Sequence, residues 1–225
     1  MQSMIKLIIG VIAFILILYF LSWLFGSGSN LNSYSDATVE TIIPSSAMGN
    51  STSANYSFSI WLYISDWSGS YGKPKVVFSR DMLKPLVTLG ALENTLTTTV
   101  KLTNGATAQC QIQNIPIQKW TNVILTVNDK ALDTYMNGKL VKTCVLPALP
   151  VSPSTDKNSV HLTPKGGFSG FTARFKYWAA PINPQEAWNV YKNGPGGNIL
   201  TNFLGLYKLQ LNFIKGSETK ASITI

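Results

Sequence analysis

Residues 132–145 read LDTYMNGKLVKTCV, two alternating apolar and polar runs parted by Asn137 and Gly138. A tight hairpin turn that matches strand twist needs positive φ at both central positions, which Asn and Gly tolerate, so the stretch predicts a β-hairpin. Upstream, residues 56–64 (YSFSIWLYI) alternate at first and end as a continuous apolar run, the pattern of a strand half exposed at its start and buried later. Further short strand patterns cover residues 75–79, 86–89, 96–102, 108–112 and 121–127, punctuated by Gly, Pro, Asn and Asp. Many short strands without a long amphipathic helix between them predict an all-β sandwich or jelly roll.

The rest of the chain extends this frame. Residues 147–157 read as a Pro- and Ser-rich loop, and residues 166–182 as a glycine entry followed by a closing strand with Phe168, Phe171, Phe175 and Trp178. Residues 183–193 (NPQEAWNVYKN) predict one short helix, with Asn183 as N-cap, Pro184 in the first turn, Glu186 completing a capping box and Gly194 after the end. From Gly196 the tail returns to alternation and predicts an extra strand or an arm, over residues 198–225, that pairs with a partner.

The N-terminus is of another kind. Residues 7–25 run 19 positions without a charge, from Leu7 through Phe14, Tyr19 and Trp23 to Phe25. That length crosses about 30 Å of hydrocarbon as a helix, and it exceeds the core of a cleaved signal peptide. Tyr19 and Trp23 suit the headgroup region where the helix leaves the membrane, and Lys6, the sole charge before the span, sets the N-terminus on the cytoplasmic side. Residues 26–36 (GSGSNLNSYSD) read as a flexible spacer before a domain over residues 37–197.

Only 12% of the 225 residues are charged, and 18 basic against 10 acidic residues give a net charge of +8. The basic residues are scattered singly, without the clusters that mark a nucleic-acid surface, so acidic partners fit better than nucleic acid. Cys110 and Cys144 both fall in strand-like segments. Their spacing leaves two readings open: one disulfide, worth roughly 4 kcal/mol on a chain-entropy model, or two buried thiols.

The order of these blocks resembles the concanavalin A-like, laminin-G-type jelly roll. Residues 56–64, NIPIQKWTNVILTV at 114–127, LDTYMNGKLV at 132–141 and GGFSGFTARFKYW at 166–178 carry the resemblance. With Cys110 before NIPIQKW, KTCVLP after the hairpin and NPQEAWNVYKNGPGG at the end, the chain is similar to membrane-anchored laminin-G-like proteins of large nucleocytoplasmic DNA viruses. The resemblance implies a minor capsid or virion protein in the internal viral membrane, its N-terminus on the cytoplasmic or inner side, with membrane lipid and other capsid proteins as partners. It also implies a viral thiol-oxidation machinery that would permit Cys110 and Cys144 to pair.

Little in the chain suggests catalysis or a cofactor. The Glu-x-Asp-x-x-Glu strand pattern of glucanases with this fold is missing, and glycoside hydrolysis needs two facing carboxylates. His161 has no Ser or Cys arranged for a triad. Asp66, Asp81 and Asn104 supply the oxygen that calcium prefers but are dispersed in sequence, so no metal is expected. The alternative function is a membrane-anchored lectin-like module: Trp67 and Tyr71 in DWSGSYG are the candidates to stack on a sugar, although covering one end of the sandwich is the commoner role for a residue placed as Trp67 is. Trp61, Trp120 and Trp178 read as core. Asn50 in NST and Asn55 in NYS match the N-glycosylation sequon.

Overall fold

The computed structural model describes residues 29–154, 158–196, 210–215 and 218–224. The predicted membrane span, with Leu7, Phe14, Tyr19, Trp23 and Phe25, lies outside the described residues. Among those described, no helix is long and apolar enough to cross a membrane.

Two antiparallel six-stranded sheets face each other. Sheet I runs in the order β1 (Ser29–Asp36), β12 (Gly170–Trp178), β3 (Tyr56–Ile64), β8 (Thr121–Asn128), β9 (Ala131–Met136) and β10 (Lys139–Val145). Sheet II runs β2 (Thr41–Ile43), β11 (Val160–Leu162), β4 (Lys75–Arg80), β5 (Leu86–Leu89), β6 (Leu96–Lys101) and β7 (Thr107–Ile112). A separate two-stranded sheet pairs β13 (Gln210–Lys215) with β14 (Glu218–Thr224). The tail therefore forms a hairpin, where the sequence suggested a single strand or arm.

The inward residues form one continuous apolar core. Phe58 stacks on Phe175 at 5.6 Å and 10°, and Phe78 packs on both at 5.2 and 5.0 Å. Each such ring contributes about 1.5–3 kcal/mol of burial. The Cys110 and Cys144 sulfurs are bonded, tying β7 at the edge of sheet II to β10 at the edge of sheet I.

The spacer expected over residues 26–36 is corrected here. Residues 29–36 form an edge strand in register with β12, Ser29 opposite Tyr177 and Asp36 opposite Phe171. Gly, Ser and Asn content suggested freedom, but pairing with β12 satisfies the backbone.

The strand β3 is also buried from its start, contrary to the half-exposed pattern read from YSFS. Ser57 and Ser59 are both fully buried on the outer face of sheet I. The chain leaving β12 covers them: the Ser57 hydroxyl donates to Ala180 O at 2.9 Å, lies 3.0 Å from Thr126 Oγ1, and accepts from Ile182 N at 3.0 Å. Asn122 Nδ2 donates to Ser59 Oγ at 3.1 Å. These bonds offset the desolvation of the hydroxyls.

The helix α1 (Pro184–Lys192) lies over the same face. Its predicted capping box is present, Glu186 N donating to Asn183 Oδ1 at 2.9 Å and Asn183 N to Glu186 Oε2 at 2.8 Å. Tyr191 stacks on Trp61 at 5.7 Å and 18°. Trp61 and Trp178 thus sit beneath or beside the helix, outside the space between the sheets, and Trp120 joins Tyr34, Tyr63 and Phe171 in an aromatic patch on the outer face of sheet I.

The turn that decided the fold is as predicted, Asn137 and Gly138 having φ of 52° and 76°. A Cβ on Gly138 would meet the Trp188 ring at 2.9 Å. We expect Gly138→Ala to cost about 2 kcal/mol, combining left-handed strain with displacement of the helix, read as a lower urea midpoint. An unchanged midpoint would show that the turn does not support α1.

Candidate functional site: a groove on the open face of sheet II

The helix covers sheet I, but among the described residues no helix covers the outer face of sheet II. Backbone register sets His161, Ser79, Leu86, Thr99 and Gln109 in one row across five strands. Val76, Thr88, Thr97 and Gln111 form a second row. The face is thus rich in hydroxyl and amide groups with a few aliphatic side chains, and it deepens between two loops into a groove of about 990 Å³.

One wall is the turn after β4. Asp81 and Met82 take positive φ of 40° and 63°, Lys84 N donates back to Arg80 O at 2.9 Å, and Lys101 N donates to Leu83 O at 3.0 Å. Asp81 Oδ2 accepts from Lys84 Nζ at 2.8 Å and from Ser154 N and Oγ at 3.2 and 3.0 Å. Burial acts to raise the Asp81 pKa, but the Lys84 ammonium and the Ser154 donors outweigh it and hold the carboxyl below its ordinary value. The other wall is the single helical turn Pro164–Gly166, which displays Lys165. Thr163 anchors it by donating to Val39 O at 2.8 Å.

Across the floor, His161 Nδ1 lies 2.6 Å from Glu40 Oε1 and its Nε2 lies 3.4 Å from Ser159 Oγ. Both groove carboxylates, Glu40 and Asp81, are therefore engaged within the protein. Lys101 and Lys165 form no ion pair among the described residues.

The predicted sugar contacts lie elsewhere, on the loop after β3. Asp66 Oδ1 accepts from Ser68 Oγ at 2.5 Å, Asp66 Oδ2 accepts from Ser169 Oγ at 2.8 Å, Ser68 N adds a third bond at 2.9 Å, and these bonds hold the carboxyl down at about 2. Its contribution to the loop is complete above pH 3.8 and is lost as pH falls toward 2. Trp67 packs against the core with Lys75 Nζ 5.1 Å from its ring centroid, and its Nε1 is buried. Tyr71 is 70% exposed, so one of the two rings stands fully in solvent.

Asp66, Asp81 and Asn104 are not brought together. Each serves its own turn, Asn104 Oδ1 accepting from Ala106 N at 3.1 Å, and among the described residues no group of three metal-ligating side chains occurs. Asn50 lies exposed on a turn with φ 48°. Asn55 is half buried, its amide bonded to Asp129 through Oδ1 at 2.8 Å and Nδ2 at 3.3 Å.

Sequence reading missed the groove. Glu40, Ser79, Leu86, Lys101 and Lys165 come from separate strands and loops, joined by sheet register alone. The outward alternation within β4 and β5 was the one local signal.

The fold has known counterparts. A ligand-binding domain of botulinum neurotoxin serotype D, solved in complex with N-acetylneuraminic acid, superposes with a TM-score of 0.57 at 14% identity, over 73% of this chain and 42% of that one. The binding domain of botulinum neurotoxin DC, solved with rat synaptotagmin II, gives 0.52 at 16% identity, over 68% and 39%. The receptor-binding domain of the C/D mosaic serotype gives 0.57 at 13%, over 71% and 41%. This chain thus spans about two fifths of those structures, and at such identity the likeness is one of fold. No curated protein matches in sequence. A sequence profile described as the concanavalin A-like lectin/glucanases superfamily matches residues 35–195, and this chain belongs to that superfamily through its laminin-G-like domain.

Proposed function

We propose that the chain is a membrane-tethered glycan-binding module that holds a saccharide in the groove of sheet II without hydrolysing it. The observation that carries this reading is the uncovered face itself: hydroxyl and amide rows interrupted by Val76 and Leu86, walled by loops that carry Lys84 and Lys165, with Lys101 at the end of β6. Sugars present hydroxyls and small apolar patches together, and such a face complements both. The superfamily includes lectins, and one structure of the same fold carries a sialic acid, which supports the reading at the level of class.

Hydrolysis would need one carboxyl kept protonated beside a second in ionised form. Glu40 is bonded to His161, and Lys84 and Ser154 hold Asp81 below its ordinary value against the effect of burial, so each groove carboxyl is engaged by its own partner within the protein. In this reading residues 7–25 tether the domain to an internal viral membrane, with the N-terminus on the cytoplasmic or inner side. A capsid role rests on the sequence resemblance alone, and none of the structures named above is a capsid protein.

The test is a glycan array probed with the full chain in detergent, alongside Leu86→Arg and Tyr71→Ala variants. Binding that Leu86→Arg weakens at least tenfold, about 1.4 kcal/mol, and Tyr71→Ala leaves intact is the expected result. Loss with Tyr71→Ala alone would move the site to the β3–β4 loop, and no bound glycan would remove the function.

A further inference from the structure

We infer that Asn50 is the attachment site of an N-linked oligosaccharide and that Asn55, the other match to the sequon, is left bare. The two stand close together in GNSTSANYS, and the sequence does not choose between them. The fold does. Asn50 lies in a turn whose backbone is pinned from beneath. Its carbonyl accepts from Ser53 N at 3.2 Å and from the Tyr177 hydroxyl at 3.0 Å, and Ser51 O accepts from Asn158 Nδ2 at 2.7 Å and from Arg80 Nη2. Carbonyl groups carry all of these contacts, while Asn50 and Thr52, the amide and hydroxyl residues of the sequon, are both exposed. The left-handed φ of 48° at Asn50 is one that Asn tolerates better than most residues. A bulky polar group on Asn50 Nδ2 therefore extends into water and displaces none of the bonds that hold the turn.

Asn55 is placed the opposite way. Its Nδ2, the atom that would carry the sugar, donates to Asp129 Oδ1 at 3.3 Å, and its Oδ1 accepts from Asp129 N at 2.8 Å. The next two residues open β3, Tyr56 and Ser57 being 1% and 0% exposed, and the Ser57 hydroxyl that completes this sequon donates to Ala180 O. An oligosaccharide at Asn55 would part it from Asp129 and open the entry to β3. The bond between Cys110 and Cys144 is a second, independent observation, because the oxidising lumen in which disulfides form is also where N-glycans are added. Both modifications need the domain across the membrane from the N-terminus, and to that extent the inference rests on the orientation proposed above. The step is a group transfer without redox change. Asn50 Nδ2 bonds to C1 of a lipid-linked oligosaccharide, the C1–O bond to the diphosphate breaks, the lipid diphosphate leaves, and the amide gives up one proton.

Intact mass before and after enzymatic release of N-glycans tests this on the full chain, expressed in insect cells and extracted from their membranes in detergent. One glycan per chain is expected, its release converting Asn50 to aspartate in the peptide map. Asn50→Asp, which keeps the tolerance for left-handed φ, and Thr52→Ala, which leaves Asn50 in place, should each abolish the glycan, whereas Asn55→Gln should retain it. Protease protection in sealed microsomes from the same cells reads the orientation. A protected domain without a glycan, or a glycan at Asn55, overturns the inference and leaves the orientation standing. A domain cleaved from the cytosolic side overturns the inference together with that orientation, and gives the disulfide to oxidation outside the lumen.

Discussion

Replacing Arg80 by methionine is expected to cost about 3–5 kcal/mol of stability, through loss of its charged hydrogen bonds and of its ring contacts. Arg80 is fully buried near the end of the sandwich and, among the described residues, forms no ion pair with a carboxylate. Its Nε donates to Asn158 Oδ1 at 2.7 Å, and its Nη2 donates to Ser51 O. The guanidinium carbon lies 5.6, 5.7 and 5.2 Å from the ring centroids of Tyr56, Phe58 and Tyr177. Charged hydrogen bonds contribute about 1.5–3 kcal/mol each and a desolvated cation–π contact about 2. Burial pulls the Arg80 pKa below its ordinary value, and Tyr177, Tyr56 and Asp81 act in the opposite direction without reversing it. Methionine fills the volume but removes one of the two donors to the Ser51 carbonyl, which keeps its bond from Asn158 Nδ2, and leaves Asn158 Oδ1 without this donor. Arg80→Lys should recover only part of the loss, because an ammonium cannot present the planar fork. Urea unfolding of the full chain in detergent measures both, and a cost below about 1 kcal/mol for methionine would contradict the cage.

The second large effect concerns the bond between Cys110 and Cys144, which are 34 positions apart. Closing a loop of that length removes about 4 kcal/mol of unfolded-state entropy on the chain-entropy model. Replacing both by alanine should therefore lower the thermal midpoint by about 8–16 °C, at roughly 2–4 °C per kcal/mol for a domain of this size. Reducing agent should lower the intact chain's midpoint similarly and leave the double alanine variant unmoved. A reductant effect on the variant would mean the shift does not come from this bond.

Much of the sandwich was legible because local chemistry and global fold agree. The Asn137–Gly138 turn, the strands either side of it and the capping box at Asn183 are each specified within a few residues. What escaped depended on distant partners. Residues 29–36 look like a linker until β12 supplies hydrogen bonds, and Ser57 looks solvated until Ala180 and Ile182 cover it. Arg80 gave no signal, since its cage draws on Ser51, Asn158 and Tyr177. The groove is hidden for the same reason, Glu40 and His161 being 121 positions apart before folding joins them. In the DWSGSYG loop the composition promised two exposed rings, but the apolar surface of Trp67 was claimed by the core.

The most direct test of glycan binding in the groove is to map a bound saccharide by NMR on the full chain in detergent, following backbone amide shifts during titration with a glycan selected from the array. The account predicts saturable shifts clustered at Ser79, Leu86, Lys101, His161 and Lys165, with the loop around Tyr71 unmoved. Shifts confined to that loop, or none at any residue across the array's ligands, would contradict it.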